Sequence, residues 1–491
     1  MTPLKLCILS SEIMPFAKTG GLADMVGALV RGFAHRGHEI RAFMPLYAAV
    51  RRAHPGAQSV PGLENIGLRL GSRDYVFSAR TASIPGTSIA LHFIDCPELF
   101  DRPSIYTKDP DEHRRFLLFT CAAVESCLRL KFLPDVFHCH DWHSAFVPLF
   151  LRTLYAETPV ADSRSVLTIH NIGYQGVFPR SSLGELGLEA SESLLDAADL
   201  RLGVINSLKT GIKLADAVTT VSPTYAREIV ETPLGMGMET ALRARADPVV
   251  GILNGVDYDQ WDPRHDPHLS AHFSPEDLAG KRLNKLQLIA AHDLGIGIES
   301  PLVGMVSRLA VQKGFDILVE ALPRVLDRRD FGLVVLGSGE ERYATLLDSL
   351  RRRYAGRVAF QFGHEESMAH LIEAGSDIFL MPSQYEPCGL NQMYSLRYGT
   401  IPIVRRTGGL ADSVRHYDPA TGQGTGCVFN DYDANAVEWA LNTTLDWFAQ
   451  RESWRRLMHN AMLEDFSWGP RVASYIAVFR DALQRPPSRS A

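Results

Sequence analysis

Long apolar runs are missing from these 491 residues: none approaches the roughly 20 that a membrane helix needs, so no membrane partner is expected. Cysteine is sparse as well. Seven are scattered at positions 7, 96, 121, 127, 139, 388 and 427, an odd number without a CxxC pair. That suits a reducing compartment and reduced thiols better than a disulfide framework. No long basic run is present, and the net charge of −6 argues against a nucleic-acid partner. The opening "LKLCILSSE" is interrupted by Lys5 and followed closely by Glu12. It is too short for a signal peptide and reads as a first buried strand, so a cytoplasmic protein is expected. What remains is ordinary globular composition, 46% hydrophobic and 22% charged, in a chain long enough for two or three domains.

Against this plain background one hexapeptide stands out. TGGLAD occurs twice, as "KTGGLADMV" from Lys18 and "RTGGLADSV" from Arg406. Each copy follows a cation and opens a helical pattern. Taken singly, either is most simply a helix-start turn serving packing. Taken together, two such turns could grip one phosphorylated ligand, because glycine admits a phosphate to the backbone and helix N-termini attract its charge.

The order of elements supports that use. "LKLCILSSE", "GGLADMVGALVRGFAHRG" and "HEIRAFMP" form a β-α-β unit, and "DVFHCH", "SVLTIHN", "AVTTVS" and "VVGILN" add strands. In the second half "PLVGMVSRL", "GLVVLGSG", "RVAFQFG", "DIFLMPS" and "IPIVRR" alternate with amphipathic helices. Continuous apolar strands between such helices mean parallel sheets covered on both faces. Pro, Asp and Gly cluster in "NGVDYDQWDPRHDP", which marks the boundary. The expected fold is α/β, with two doubly wound, Rossmann-like domains facing a central cleft. Residues 1–252 form the first domain, 253–465 the second, and 466–491 a helix packing back on the first.

Ligands of open α/β sheets sit at the carboxyl ends of strands. Arg308 and Lys313 of "SRLAVQKG" stand there, where paired cations could hold a diphosphate, and Glu386 of "EPCGL" stands at another strand end. Solvated surface is the usual alternative for such cations.

Seven motifs, "KTGGLADMVGAL", "HCHDWHSA", "TIHNIGYQG", "NGVD", "SRLAVQKG", "YEPCGLNQMYSLRYGT" and "RRTGGLADSV", run in order from Lys18 to Val414, within a similarity that extends from about Leu6 to Ser467. Together they resemble the bacterial glycogen synthases and plant starch synthases. The resemblance implies a retaining glycosyltransferase of GT-B architecture. It would move glucose from ADP-glucose to the non-reducing end of an α-1,4-glucan such as glycogen, with no metal and no cofactor. It places Lys18, Gly20 and Gly21 on one side of the donor, and amides of Thr407, Gly408 and Gly409 on its diphosphate. Arg308 and Lys313 would neutralise the leaving ADP. Glu386 would orient sugar hydroxyls, and Cys388, Gly389 and Leu390 would offer N–H groups. His170 and Asp141 would face the reacting glucose, with Asn254 near the sugar. Many retaining relatives carry a ribose-binding glutamate where this chain has Tyr394, as in the starch synthase branch. No motif identifies the base, so ADP and UDP are not distinguished by residues alone, and none reports oligomeric state.

Other readings of these residues compete. "HCHDWH" could hold a metal through His138, His140 and His143, but no second ligand cluster with recognisable spacing accompanies it. The DxD strings at 109, 257 and 431 are expected to be turns, and Cys388 has no histidine beside it in sequence to activate it. A glucan phosphorylase would need a Schiff-base lysine for pyridoxal phosphate, and none is identifiable. A non-catalytic sugar-nucleotide binder would leave the full set of charged motifs unexplained.

Overall fold

The computed structural model describes residues 2–485. They fall into two compact units. The first runs to Val221, takes in Ala226–Ile252 and resumes at Trp468; the second consists of Ser222–Tyr225 and Leu253–Ser467.

In the first unit seven parallel strands lie side by side. Their order is Ala90–Asp95, Glu39–Pro45, Lys5–Leu9, Val136–His140, Arg164–Ile169, Ala217–Thr220 and Val250–Gly251. Counted along the chain this is 3-2-1-4-5-6-7, a Rossmann winding whose switch point lies between Lys5–Leu9 and Val136–His140. Those two strands are buried almost throughout because both faces are covered, His138 and His140 included. Only Lys5 of "KLCIL" is exposed. The helix Gly21–His35 buries Val26, Leu29, Val30 and Phe33, the spacing of one helical face. Phe33 meets Phe479 of the helix Trp468–Gln484 at 5.5 Å between ring centroids. Truncating so buried a phenylalanine costs about 3–5 kcal/mol, so the final helix is a structural member of this unit.

One edge departs from the expected parallel sheet. Arg73–Ser83 pairs antiparallel with Ala90–Asp95, Gln58–Ser59 and Ile66–Leu70. Ile66, Leu68 and Leu70 are buried while Gly67 and Arg69 are exposed. This alternation marks a strand with one dry and one wet face, unlike the continuous apolar strands of the sheet centre.

The second unit holds six strands, all parallel: Val358–Phe362, Gly332–Gly337, Leu302–Val306, Ile378–Met381, Ile401–Arg405 and Cys427–Phe429. Their order is 3-2-1-4-5-6, with the switch point between Leu302–Val306 and Ile378–Met381. Cys427–Phe429 is too short to have been read from the sequence. The helix Ala434–Ala449 that follows is capped by Asp433, whose carboxylate accepts the Ala436 N–H at 2.8 Å. Ser222–Tyr225 joins this unit through Thr224, which donates from its N–H and hydroxyl to Asp412 at 2.7 and 2.6 Å. Among the described residues no helix is long and apolar enough to cross a membrane.

Candidate functional site

The winding order of each unit singles out one place where loops from neighbouring strands diverge and leave room for a ligand. In the second unit that place gathers most of the residues singled out by sequence. Arg308 follows Leu302–Val306, and Lys313 closes the short turn Val311–Lys313. Glu386 lies beyond Ile378–Met381. Lys313 Nζ is 2.5 Å from Glu386 Oε2, and the Ser383 hydroxyl donates to the same oxygen at 3.1 Å. The two charged side chains are 18% and 7% exposed, so the carboxylate of this ion pair is buried and its lysine partly so. Among the described residues no donor reaches Glu386 Oε1, which leaves that oxygen for a ligand hydroxyl. Arg308 is held by Gln312 at 3.0 Å.

Cys388 is buried; its carbonyl and that of Gly389 accept from Gln392 Nε2 at 3.0 and 3.1 Å. With Leu390 they lead into the helix Asn391–Arg397. Asn254 is 5% exposed, and its Oδ1 has no hydrogen-bond partner among the described residues. A buried amide oxygen without a donor carries a desolvation cost that a ligand hydroxyl would relieve. Tyr394 is packed differently from the expectation. Its ring lies 3.9 Å from that of Trp261 at an interplanar angle of 1°, and the other face of this indole meets His370 at 3.6 Å. Its apolar body is therefore a packing element.

The second TGGLAD turn also corrects an expectation. Thr407 is buried with its N–H on the Arg405 carbonyl at 2.9 Å. The Gly409 N–H is not open to a phosphate, because it donates to the carbonyls of Glu386 and Pro387 at 3.1 and 3.2 Å. Glycine is needed here for close approach. A Cβ on Gly408, whose φ is +42°, would sit 1.9 Å from the Glu386 carbonyl oxygen, and one on Gly409 would sit 2.1 Å from that of Cys388. The turn thus braces the segment carrying Glu386.

The first copy is used otherwise. Gly20 has an extended φ of −165°, and nothing lies within 4 Å of where its Cβ would be. With Gly21 it opens the helix Gly21–His35. Lys18 pairs with Asp24 at 3.0 Å, whereas the equivalent Asp412 of the second copy holds Thr224. Thr19 donates from its N–H and, at 2.7 Å, from its hydroxyl to Glu12, a residue that no sequence motif marked.

Across the first unit's switch point stands Asp141, just beyond Val136–His140. Its φ is +53°, a left-handed conformation that Asp tolerates better than most side chains. Its Oδ1 accepts the N–H groups of His170 at 2.7 Å and Asn171 at 3.4 Å. Burial, aided by the nearby Glu12 charge, pushes its carboxyl up to about 7 in spite of those bonds. His170 Nε2 is 3.0 Å from His140 Nδ1, and burial lowers the His170 imidazole to about 3. It is therefore a neutral hydrogen-bonding group at ordinary pH.

His138 and His140 share a face as the strand alternation requires, with ring centroids 4.2 Å apart, but His138 is bonded to the Thr168 hydroxyl at 2.7 Å and packed on Phe479. Among the described residues no group of three His, Cys, Asp or Glu is arranged to hold a metal. Of the DxD strings, Asp109 and Asp111 both pair with Arg102, at 2.6 and 2.7 Å, and Asp257 accepts the Asp259 N–H at 3.2 Å.

Two Rossmann-wound units, each with polar and charged groups at its switch point, define a glycosyltransferase of the GT-B fold. A family model described as starch synthase catalytic domain matches residues 5–244, and one described as glycosyl transferases group 1 matches residues 291–458. A glycogen synthase of Koribacter versatilis is 43% identical over 480 residues, covering 97% of both chains. Glycogen synthase 1 of Geobacter sulfurreducens is 40% identical over 496 residues, covering 99% of this chain and 97% of that one. The catalytic domain of starch synthase IV from Arabidopsis thaliana, solved with ADP and acarbose, superposes with a TM-score of 0.90 at 33% identity, over 99% of this chain and all of that one. The chain belongs to the glycogen synthase and starch synthase family. Its activity is the glycosyl transfer of glycogen synthesis.

Proposed function

We propose that the chain transfers glucose from ADP-glucose to the non-reducing end of an α-1,4-glucan, with retention of configuration. The observation that carries this is the gathering of Arg308, Lys313 and Glu386 at the second unit's switch point, cations for a diphosphate beside a carboxylate for sugar hydroxyls. The second unit, Leu253–Ser467, then binds the nucleotide sugar, and Asn254 Oδ1 and Glu386 Oε1 accept from its hydroxyls. In the first unit, Lys18, the Gly20–Gly21 turn, Asp141 and His170 are assigned to donor binding as well. The starch synthase IV relative is bound to ADP and acarbose, which supports ADP as the nucleotide.

In this reading the bond from glucose C1 to the diphosphate oxygen breaks and its electron pair stays on ADP. The acceptor O4 bonds to C1 from the same face, and its proton passes to the departing phosphate oxygen. Arg308 and Lys313 stabilise the charge that grows there. No carboxylate nucleophile takes part in this reading, in which Glu386 orients sugar hydroxyls and Asp141 faces the glucose as a hydrogen-bond acceptor. Trapping a covalent glucosyl-enzyme on either carboxylate would contradict this route.

The primary test incubates the protein with glycogen and labelled ADP-glucose or UDP-glucose. Label should enter polymer from ADP-glucose; incorporation from neither donor overturns the proposal. The glycine turns supply a second test. Gly408→Ala should lower the melting temperature, since overpacking of this kind costs about 1–3 kcal/mol or more. Gly20→Ala should leave stability within about 0.5 kcal/mol and raise the KM for ADP-glucose, because its open space is there for the donor. Equal melting temperatures for the two variants would count against this division of roles.

A further inference from the structure

Glu12 is only 2% exposed, yet no cation is paired with it among the described residues; Lys18 goes to Asp24 instead. Its carboxylate is satisfied by neutral donors. Thr19 supplies two of them, its N–H and its hydroxyl, and the Tyr106 hydroxyl supplies a third at 2.5 Å. A buried carboxylate is costly unless its lone pairs are filled, so these bonds are strong and directional. Behind Glu12, its own backbone is fixed to the end of Lys5–Leu9 through the Ser10 hydroxyl, which donates to the Glu12 carbonyl at 2.7 Å. In front of it the chain curls: Phe16 and Ala17 donate to the Ile13 carbonyl at 2.9 and 3.2 Å, and Met14 to that of Ala23 at 3.1 Å. The Glu12–Thr19 clasp closes this curl one residue from Lys18 on one side and Gly20 on the other.

The same carboxylate reaches a second motif. Tyr106 also shares a 2.8 Å hydrogen bond with the Ser11 hydroxyl, which lies 3.3 Å from His143 Nδ1, and the Tyr106 ring stacks on His143 at 5.0 Å. His143 is two residues from Asp141. The network therefore ties the Lys18 turn to the Asp141 loop across the switch point of the first unit.

We propose that Glu12 is a positioning residue for donor binding, which sets the Lys18–Gly20 turn through its double hydrogen bond to Thr19 and registers that turn against the Asp141 loop through Tyr106. This rests on the donor reading of Lys18 given above. Glu12 touches no reacting atom; it acts through Thr19.

Kinetics of Glu12→Gln, Thr19→Val and Lys18→Ala, alone and in pairs, test the idea. Glu12→Gln keeps the shape but turns one acceptor into a donor facing donors. It should raise the KM for ADP-glucose about tenfold, the loss of one buried hydrogen bond to a charged group, while the KM for glycogen stays within twofold. Thr19→Val, in a partly exposed turn, should reproduce the donor effect in part, and Glu12→Asp should recover less than wild type because its shorter stem cannot span both Thr19 donors. In the Lys18→Ala background the Glu12→Gln effect should shrink to under threefold, since residues acting through one another are not additive. Multiplicative effects, or a lowered melting temperature with donor KM unchanged, would overturn the proposal. Should Glu12→Gln fail to fold, Thr19→Val with Lys18→Ala decides by the same criterion. Failure of the donor reading is distinguishable, because Lys18→Ala would then leave the donor KM unchanged on its own.

Discussion

Lys313→Ala is expected to lower kcat about 10²–10³-fold, the usual effect of removing one preorganised group that stabilises charge in the transition state. As the glucosyl bond breaks, negative charge grows on the diphosphate, and a cation beside it binds that state better than the ground state. The structure adds a stability effect that a lone strand-end lysine would not have. Lys313 is the counter-ion of Glu386 in a pair 18% and 7% exposed. Removing it leaves a buried carboxylate held by Ser383, and breaking such a pair costs about 3–5 kcal/mol. The melting temperature of Lys313→Ala should therefore fall, and the double variant with Glu386→Gln should recover stability without recovering kcat. Lys18→Ala should behave differently. Its pair with Asp24 is 30% and 24% exposed, so stability should hardly change, while the KM for ADP-glucose rises and kcat falls. Wild-type kcat in Lys313→Ala at full folding would make this lysine an ordinary surface cation.

The parts of the fold legible in the sequence are those whose physics is local. Strands such as "KLCIL" and "GLVVLG" are buried on both faces, so they read as unbroken apolar runs, and the helices between them carry their own periodicity. The antiparallel edge was not legible, because Arg73–Ser83 buries only Tyr75, Phe77 and Ala79 of its 11 residues and Ile66–Leu70 alternates over five residues alone. Strand ends, where ligands bind in wound sheets, marked Arg308, Lys313 and Glu386, whereas Asp141 was implied only by the family resemblance. Partnerships across the chain did not. Tyr106 meets Glu12 from 94 residues away, and Tyr394 meets Trp261 from another part of the second unit. The repeated hexapeptide shows the limit most clearly. Identical residues leave Gly20 facing open space and press its counterpart Gly408 onto the Glu386 carbonyl, because what surrounds each turn is set by tertiary packing.

The acid limb of kcat/KM should fall near pH 7, and Asp141 is the group expected to set it. Burial raises its carboxyl to about 7, whereas the neighbouring His170 and His138 imidazoles are pushed down to about 3 and remain neutral throughout the working range. As a carboxylate, Asp141 accepts the His170 and Asn171 N–H groups and can accept a sugar hydroxyl strongly; protonated, it is a weaker acceptor. Since kcat/KM reports the free enzyme, it should drop about tenfold per pH unit below that value. Asp141→Asn should flatten this limb and lower kcat/KM at pH 8 by about 10- to 100-fold, the loss of a charge-assisted hydrogen bond. Asparagine is the informative replacement because it tolerates the φ of +53°. Stability supplies an independent sign. A raised acid pKa means that the fold prefers the neutral form, so this group's contribution is full below 3.8 and is lost as pH rises through about 7. Asp141→Asn should therefore gain melting temperature relative to wild type between pH 4 and pH 8. A wild-type profile that is flat from pH 5.5 to 8.5, or a limb that survives in Asp141→Asn, would remove Asp141 from the set of groups that meet the substrate.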